Sequence, residues 1–123
     1  MRNEVKELSF QLPVKIIFLH KKHSSQAKLF SPLMTQLLKS GTSIGANIEE
    51  ACAGQSRKDF LIKMYIAFKE ARETFYWLRL IKITGIFKNS DLDEILKDTM
   101  SIISLLSSIT KSAKQNISKT SIK

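Results

Sequence analysis

Apolar residues recur along the chain at steps of three and four, the spacing that keeps them on one face of a helix, and no stretch alternates at the period of two typical of a half-buried strand. Four segments carry this pattern. The first runs from Phe10 to His23, with Ser9 as N-cap and Pro13 tolerated because it falls in the first turn. Phe10, Val14, Ile17 and Phe18 lie on one side of it and Leu12, Ile16 and Leu19 on the other, as expected of a helix sandwiched between neighbours. A loop, HSSQAKLF, leads to Ser31-Pro32, a hydroxyl cap followed by proline at the first helical position. The second segment runs from Pro32 to about Ala53, its core stripe made by Leu33, Leu37, Ile44, Ile48 and Ala51. Gly41 and Gly45 form a second stripe without side chains, which predicts close approach of another backbone.

Gly54 provides a left-handed stop, and Ser56 with Asp59 three residues on resembles a capping box opening the third segment. That helix extends to Thr84 and stops at Gly85. Phe60, Met64, Ala67, Ala71, Phe75 and Leu78 form its main stripe, while Ile62, Ile66, Trp77 and Leu80 make a second apolar side. A helix apolar on two sides in so short a chain is shared between subunits, so these four residues are the candidate oligomer interface. Ser90 caps the fourth segment, whose first turn carries Asp91, Asp93 and Glu94 where the helix dipole favours acids. Leu92, Ile95, Ile102, Leu106 and Ile109 form its stripe, and from Gln115 the period fades. The reading is all-α: an antiparallel up-down four-helix bundle over residues 1–115, with 116–123 a basic, disordered tail.

Composition narrows the possibilities. The 123 residues make one domain, and 43% apolar content suits a folded protein. Twenty Lys+Arg against 11 Asp+Glu give a net charge of +9, which must sit on a surface. The single Cys52 forms no internal disulfide and suits a reducing, cytoplasmic setting. The start, MRNEVKELSF, lacks the basic-then-apolar order of a signal peptide, and charged residues break every apolar run well short of 18 residues. A soluble protein without membrane contact is expected.

Few residues could carry chemistry. His20 and His23, three apart, lack the further ligands that a metal would need, and Cys52 follows Glu49 and Glu50, an environment that does not activate a thiol. No nucleotide-binding or zinc-protease motif is present, so no cofactor or metal is expected. Ser43, Asn47 and Glu50, together with Glu70 and Glu73, read as a hydrogen-bond network fixing helix register; an acid pair for general acid–base work, using Glu50, Glu70 and Glu73, is the alternative. Arg72 and Arg79 are seven apart beside Tyr65 and Tyr76, with Lys82 further along the helix; Lys15 and Lys22 repeat the spacing. Beyond Asp98 the chain holds Lys111, Lys114, Lys119 and Lys123 and no acid. These rows suit either a solvated face or a phosphate-contacting one, and the net charge tilts the reading toward a nucleic-acid partner.

SGTSIGANIEEA (Ser40 to Ala51), Ser56 with Asp59-Phe60, and KMYIAFKEARETFYWLRLI (Lys63 to Ile81) resemble the signature of the bacterial four-helix-bundle proteins named for intervening sequences in large-subunit ribosomal RNA genes. Ser43, Ile44, Asn47, Ile48, Glu50, Ala67 and Glu73 match the pattern; Ala51 replaces a common glycine, and Lys69-Glu70 replaces a Gly-Ser pair. The resemblance implies a ring-shaped homopentamer without catalytic activity. It also implies kinship to the accessory protein of diversity-generating retroelements, a basic pentamer that binds nucleic acid and a reverse transcriptase. Two functions follow as expectations: a non-enzymatic oligomer that binds RNA or DNA, or a protein-interaction adaptor, such as a reverse transcriptase accessory subunit.

Overall fold

A computed structural model describes residues 2–122, with side chains through residue 119. Five helices and no strand occupy the described residues: α1 (Arg2–Lys22), α2 (Ser24–Leu29), α3 (Ser31–Cys52), α4 (Arg57–Thr84) and α5 (Asn89–Ile122).

The two middle segments match the pattern closely. Ser56 Oγ accepts a hydrogen bond from the Asp59 amide at 3.0 Å, which opens α4, and Gly85 closes it with φ 69°, a left-handed conformation that suits glycine. Other boundaries differ. Helix α1 begins at Arg2 rather than at Phe10, because Val5 in its first turns is fully buried and anchors them to the core. Ser9 is therefore no cap. It lies mid-helix, 1% exposed, with its Oγ turned back to the Lys6 carbonyl at 3.1 Å. The segment HSSQAKLF contains a short helix, α2, that buries Ala27. Ser31 lies inside α3, and Phe30 holds the N-cap position without a side-chain bond. Gly54 is not left-handed; Gly85 alone among the described residues has a positive φ. Ser90 lies within α5, which starts at Asn89. At its far end α5 continues to Ile122 where a disordered tail was expected, since half-buried Ala113 and Ile117 extend the stripe of Ile109 in steps of four. Lys123 lies outside the described residues.

Helix α1 packs against α3 and α5, as does α4, while the α1 and α4 backbones stay apart and Arg2 of α1 reaches across to the Phe60 ring of α4. Each neighbouring pair is antiparallel: Gly41 and Gly45 face Ile16 and Ser9 in reverse order, Ser40 and Glu50 meet Thr74 and Lys63, and Lys15 and Lys22 meet Asp98 and Asp91. The fully buried side chains include Leu12, Ile16, Leu37, Ile44, Ile48, Met64, Leu78, Leu92, Ile102 and Leu106. Each stabilises the fold by about 1.5–3 kcal/mol before chain entropy is counted. The glycine stripe of α3 lets α1 approach: a Cβ on Gly45 would stand 3.0 Å from the Ser9 carbonyl oxygen. Among the described residues one side-chain polar pair crosses this core, Thr74 Oγ1 donating to Ser40 Oγ at 2.9 Å.

Candidate nucleic-acid interface

Seven cations are candidates for phosphate contact, and the fold divides them. Lys15 sits between Glu94, at 2.9 Å, and Asp98, whose bonds hold its ammonium above the usual lysine range, Asp98 acting most strongly. Lys22 reaches Asp91 Oδ1 at 2.8 Å, and Lys82 reaches Asp93 at 3.0 Å. The acidic start of α5 thus neutralises the row on α1 and the last cation of α4. His23 joins the same cluster through a 2.7 Å contact of its Nε2 with Asp91 Oδ2 and a tilted stack on Phe87. His20 points elsewhere, its Nε2 buried without a partner among the described residues. The two histidines are therefore not brought together, and no cluster of three metal-ligating side chains occurs among the described residues.

Arg72, Arg79, Lys111 and Lys114 have no carboxylate within ion-pair distance among the described residues. The two arginines border a groove of about 900 Å³ between α4 and α5. The Arg79 guanidinium lies 5.2 Å from the centroid of the Phe75 ring and that of Arg72 6.0 Å from Phe68. Each pair is four residues apart, so the aromatic ring lies one turn before the cation it supports. The α5 wall carries Met100, Ser104, Ser107 and Ser108, and Tyr76 stands exposed at the rim. Glu73 is the one acid in the lining among the described residues. Lys111 follows Ser104 by seven residues, placing it two turns further along the same face of α5. Stacked guanidinium planes held at fixed positions, beside exposed rings and hydroxyls, suit phosphates and flat bases. From sequence Phe75 was read only as part of the core stripe and Phe68 was not singled out as a platform, although the i, i+4 spacing of ring and arginine was there to read.

The five residues expected to form one polar network are dispersed. Ser43 Oγ donates to the Lys39 carbonyl and Asn47 Nδ2 to the Ser43 carbonyl, both within α3. Glu50 pairs with Lys63 at 2.9 Å. Burial, and then the charge of Glu73, hold the Glu70 carboxyl above its usual 4.5. The cross-helix bond that fixes the register of α3 on α4 is Ser40–Thr74, a pair of small hydroxyl residues whose polar partners lie 34 positions apart and leave no local signal.

Of the candidate interface residues, Ile62 and Leu80 are 48% and 37% exposed, and Ile66 and Trp77 are half-buried. Tyr65, Tyr76 and Ile83 extend that apolar face of α4. Trp77 Nε1 is buried with no acceptor among the described residues. A second exposed apolar face, Phe10, Ile17 and Phe18, lies on α1. Since α1 and α4 each lie between α3 and α5 with their backbones apart, the two faces point to opposite sides of the molecule.

Among the described residues no helix is long and apolar enough to cross a membrane. A family model described as 23S rRNA-intervening sequence protein matches residues 1–108. Among solved structures, the chain is similar to a Bacteroides thetaiotaomicron VPI-5482 protein of unknown function from the S23 ribosomal protein family, with 45% identity and a TM-score of 0.79 over 87% of this chain and 98% of that one. No curated protein matches.

Proposed function

The chain belongs to the 23S rRNA-intervening sequence protein family, and from that premise we propose that it is a non-enzymatic, homo-oligomeric nucleic-acid-binding protein that takes its ligand in the α4–α5 groove. The observation that carries the reading is the sorting of charge. Lys15, Lys22 and Lys82 are spent on carboxylates, whereas Arg72 and Arg79, stacked on rings, and Lys111 and Lys114 beyond them form a stretch with no ion-paired acid among the described residues. Phosphates bind the cations, and bases find the ring of Tyr76 and the Met100 side chain.

The four long helices, each antiparallel to its two neighbours, constitute an up-down four-helix bundle in this reading. Apolar faces on opposite sides, α1 and α4, favour head-to-tail contact, which closes into a ring rather than a two-fold dimer. A pentamer is the form we propose, with fivefold the +9 of one chain on one particle. The same faces leave room for a second reading, in which the α4 stripe of Ile62, Tyr65 and Leu80 receives a partner protein and the molecule works as an adaptor.

Fluorescence anisotropy with labelled single-stranded and duplex oligonucleotides tests the proposal. If the four cations each neutralise one phosphate, affinity falls about 150-fold between 50 and 200 mM salt. The pair Arg72→Gln and Arg79→Gln weakens binding and flattens that dependence, whereas Lys22→Ala leaves both unchanged. Absence of binding at 50 mM salt overturns the reading. Light scattering that gives a clean monomer of 14.0 kDa at tens of micromolar overturns the ring.

A further inference from the structure

The exposed tyrosines of α4 fall in line with the groove cations. Tyr65 and Tyr76 are 11 residues apart, close to three helical turns, so they share a face about 16 Å from one another along the axis. Their exposures are 53% and 51%. Arg72 and Arg79 bracket Tyr76, four residues before it and three after. The Tyr65 ring makes an edge contact with Phe68 at 6.3 Å, and Phe68 is the ring that supports Arg72. The pair Lys82–Asp93, at 3.0 Å, sets the register of the antiparallel α5; Ile103 then comes level with Arg72, and Lys111 comes level with Met64, next to Tyr65. Along the α4–α5 face the order is Arg79, Tyr76, Arg72, and then Tyr65 with Lys111, so that each ring has a cation beside it over a track of about 22 Å. On the α4 wheel Glu73 falls about 60° from Tyr76 on the side away from Arg72, where its charge keeps a phosphate backbone to the arginine side of the ring.

A duplex keeps its base faces inside its own stack and presents only phosphates and base edges, so it leaves both tyrosines and the apolar floor of the groove, Phe75 and Ile103, without partners. A single strand offers free base faces and a phosphate at every step. At about 3.4 Å per stacked nucleotide, a track of this length holds about six to seven of them. The geometry points to a single strand of that length, laid lengthwise on the α4–α5 face, with bases on Tyr76 and Tyr65 and phosphates on Arg79, Arg72 and Lys111. The inference rests on the reading of this groove as the nucleic-acid interface, and it adds the strandedness, the length and the second ring. Neither ring nor cation reads the sugar, so ribose and deoxyribose strands meet the same contacts.

Trp77 is the single tryptophan, and its ring stands 5.1 Å from that of Tyr76, so its emission reports a base stacked there. The experiment titrates the full chain at 50 mM salt with labelled oligodeoxynucleotides of four, seven and ten residues, with a hairpin whose stem has seven pairs, and with an abasic chain that keeps seven phosphates. Anisotropy gives the affinity and Trp77 emission the stacking. Affinity should rise steeply from four to seven residues and level off beyond. The hairpin and the abasic chain should bind about 5- to 150-fold more weakly than the seven-residue strand, and Trp77 emission should fall with the strand but not with the abasic chain. Tyr65→Ala and Tyr76→Ala should each weaken the strand within that same range and leave the hairpin unchanged; melting of each variant confirms that it folds. If no probe binds, the groove reading itself falls and this inference with it. If the hairpin or the abasic chain binds as tightly as the strand, or if neither tyrosine variant weakens the strand, the groove reading stands and this inference is overturned.

Discussion

Replacing Gly41 with alanine sets a Cβ 2.8 Å from Ile16 Cδ1, a fully buried methyl on α1. Carbon atoms in contact prefer about 3.5–4.0 Å, so one of the two must yield by about 1 Å in a packed interior. Two terms oppose each other. Alanine gains about 1 kcal/mol over glycine in a helix, and overpacking loses about 1–3 kcal/mol. The single substitution should therefore destabilise by about 1 kcal/mol. Ile16→Val alone removes the clashing methyl and costs about 0.5–1.5 kcal/mol by leaving a small void. In the double variant the new Cβ enters that void, the helix gain is kept, and stability returns close to that of the parent. Urea unfolding of the four proteins, with equal m values, gives a coupling of about 1–2 kcal/mol. Effects that add to within about 0.3 kcal/mol would refute the α1–α3 contact as described. So would a Gly41→Ala protein stabilised by the full helical gain.

Thr74→Val removes the bond to Ser40 Oγ in the core and should cost about 1 kcal/mol; Ser40 Oγ keeps its bond to the Leu37 carbonyl, so adding Ser40→Ala should cost less than Ser40→Ala does in the parent, and thermal melting of the variants checks this. The bonds from Lys22 first and His23 second hold Asp91 below its ordinary 3.8, so its contribution is full above that value and is lost as the pH falls through the lower folded value. Asp91→Asn should accordingly lower the melting temperature at pH 7 and shrink the difference from the parent below pH 4; a difference independent of pH would contradict the pairing.

The parts of the fold that were legible in the sequence are those written in local chemistry. Ser56 with Asp59 and the glycine at 85 each mark a helix end within four residues, and the structure uses both. Gly41 and Gly45 announced a close approach but not which helix makes it. Ser9 misled because a small hydroxyl residue suits a cap and a tight crossing equally, and its place beneath Gly45 is a tertiary fact. The same holds for charge. Lys15 and Lys22 look identical in spacing to Arg72 and Arg79, yet carboxylates 69 and 83 positions away claim the first pair, and no periodicity encodes that. Half of the groove was readable as spaced arginines on α4; its serine wall required knowing that α5 lies alongside.

The ion pairs between α5 and its neighbours have a consequence for how a ligand arrives. Four of the eleven acids stand in the first turns of α5, and the same helix carries only lysines as charged groups after Asp98. Even so, the end that holds those acids keeps a positive surplus, because Lys21, Lys28, Lys88 and Lys97 stand there as well as the paired lysines, and Glu4, Glu7, Glu49, Glu50 and Asp59 offset cations at the opposite end. Positive charge is therefore spread along the molecule and not gathered at one pole. A polyanion is drawn in from any side within the Debye length of about 8–10 Å, and its final orientation is left to short-range contacts.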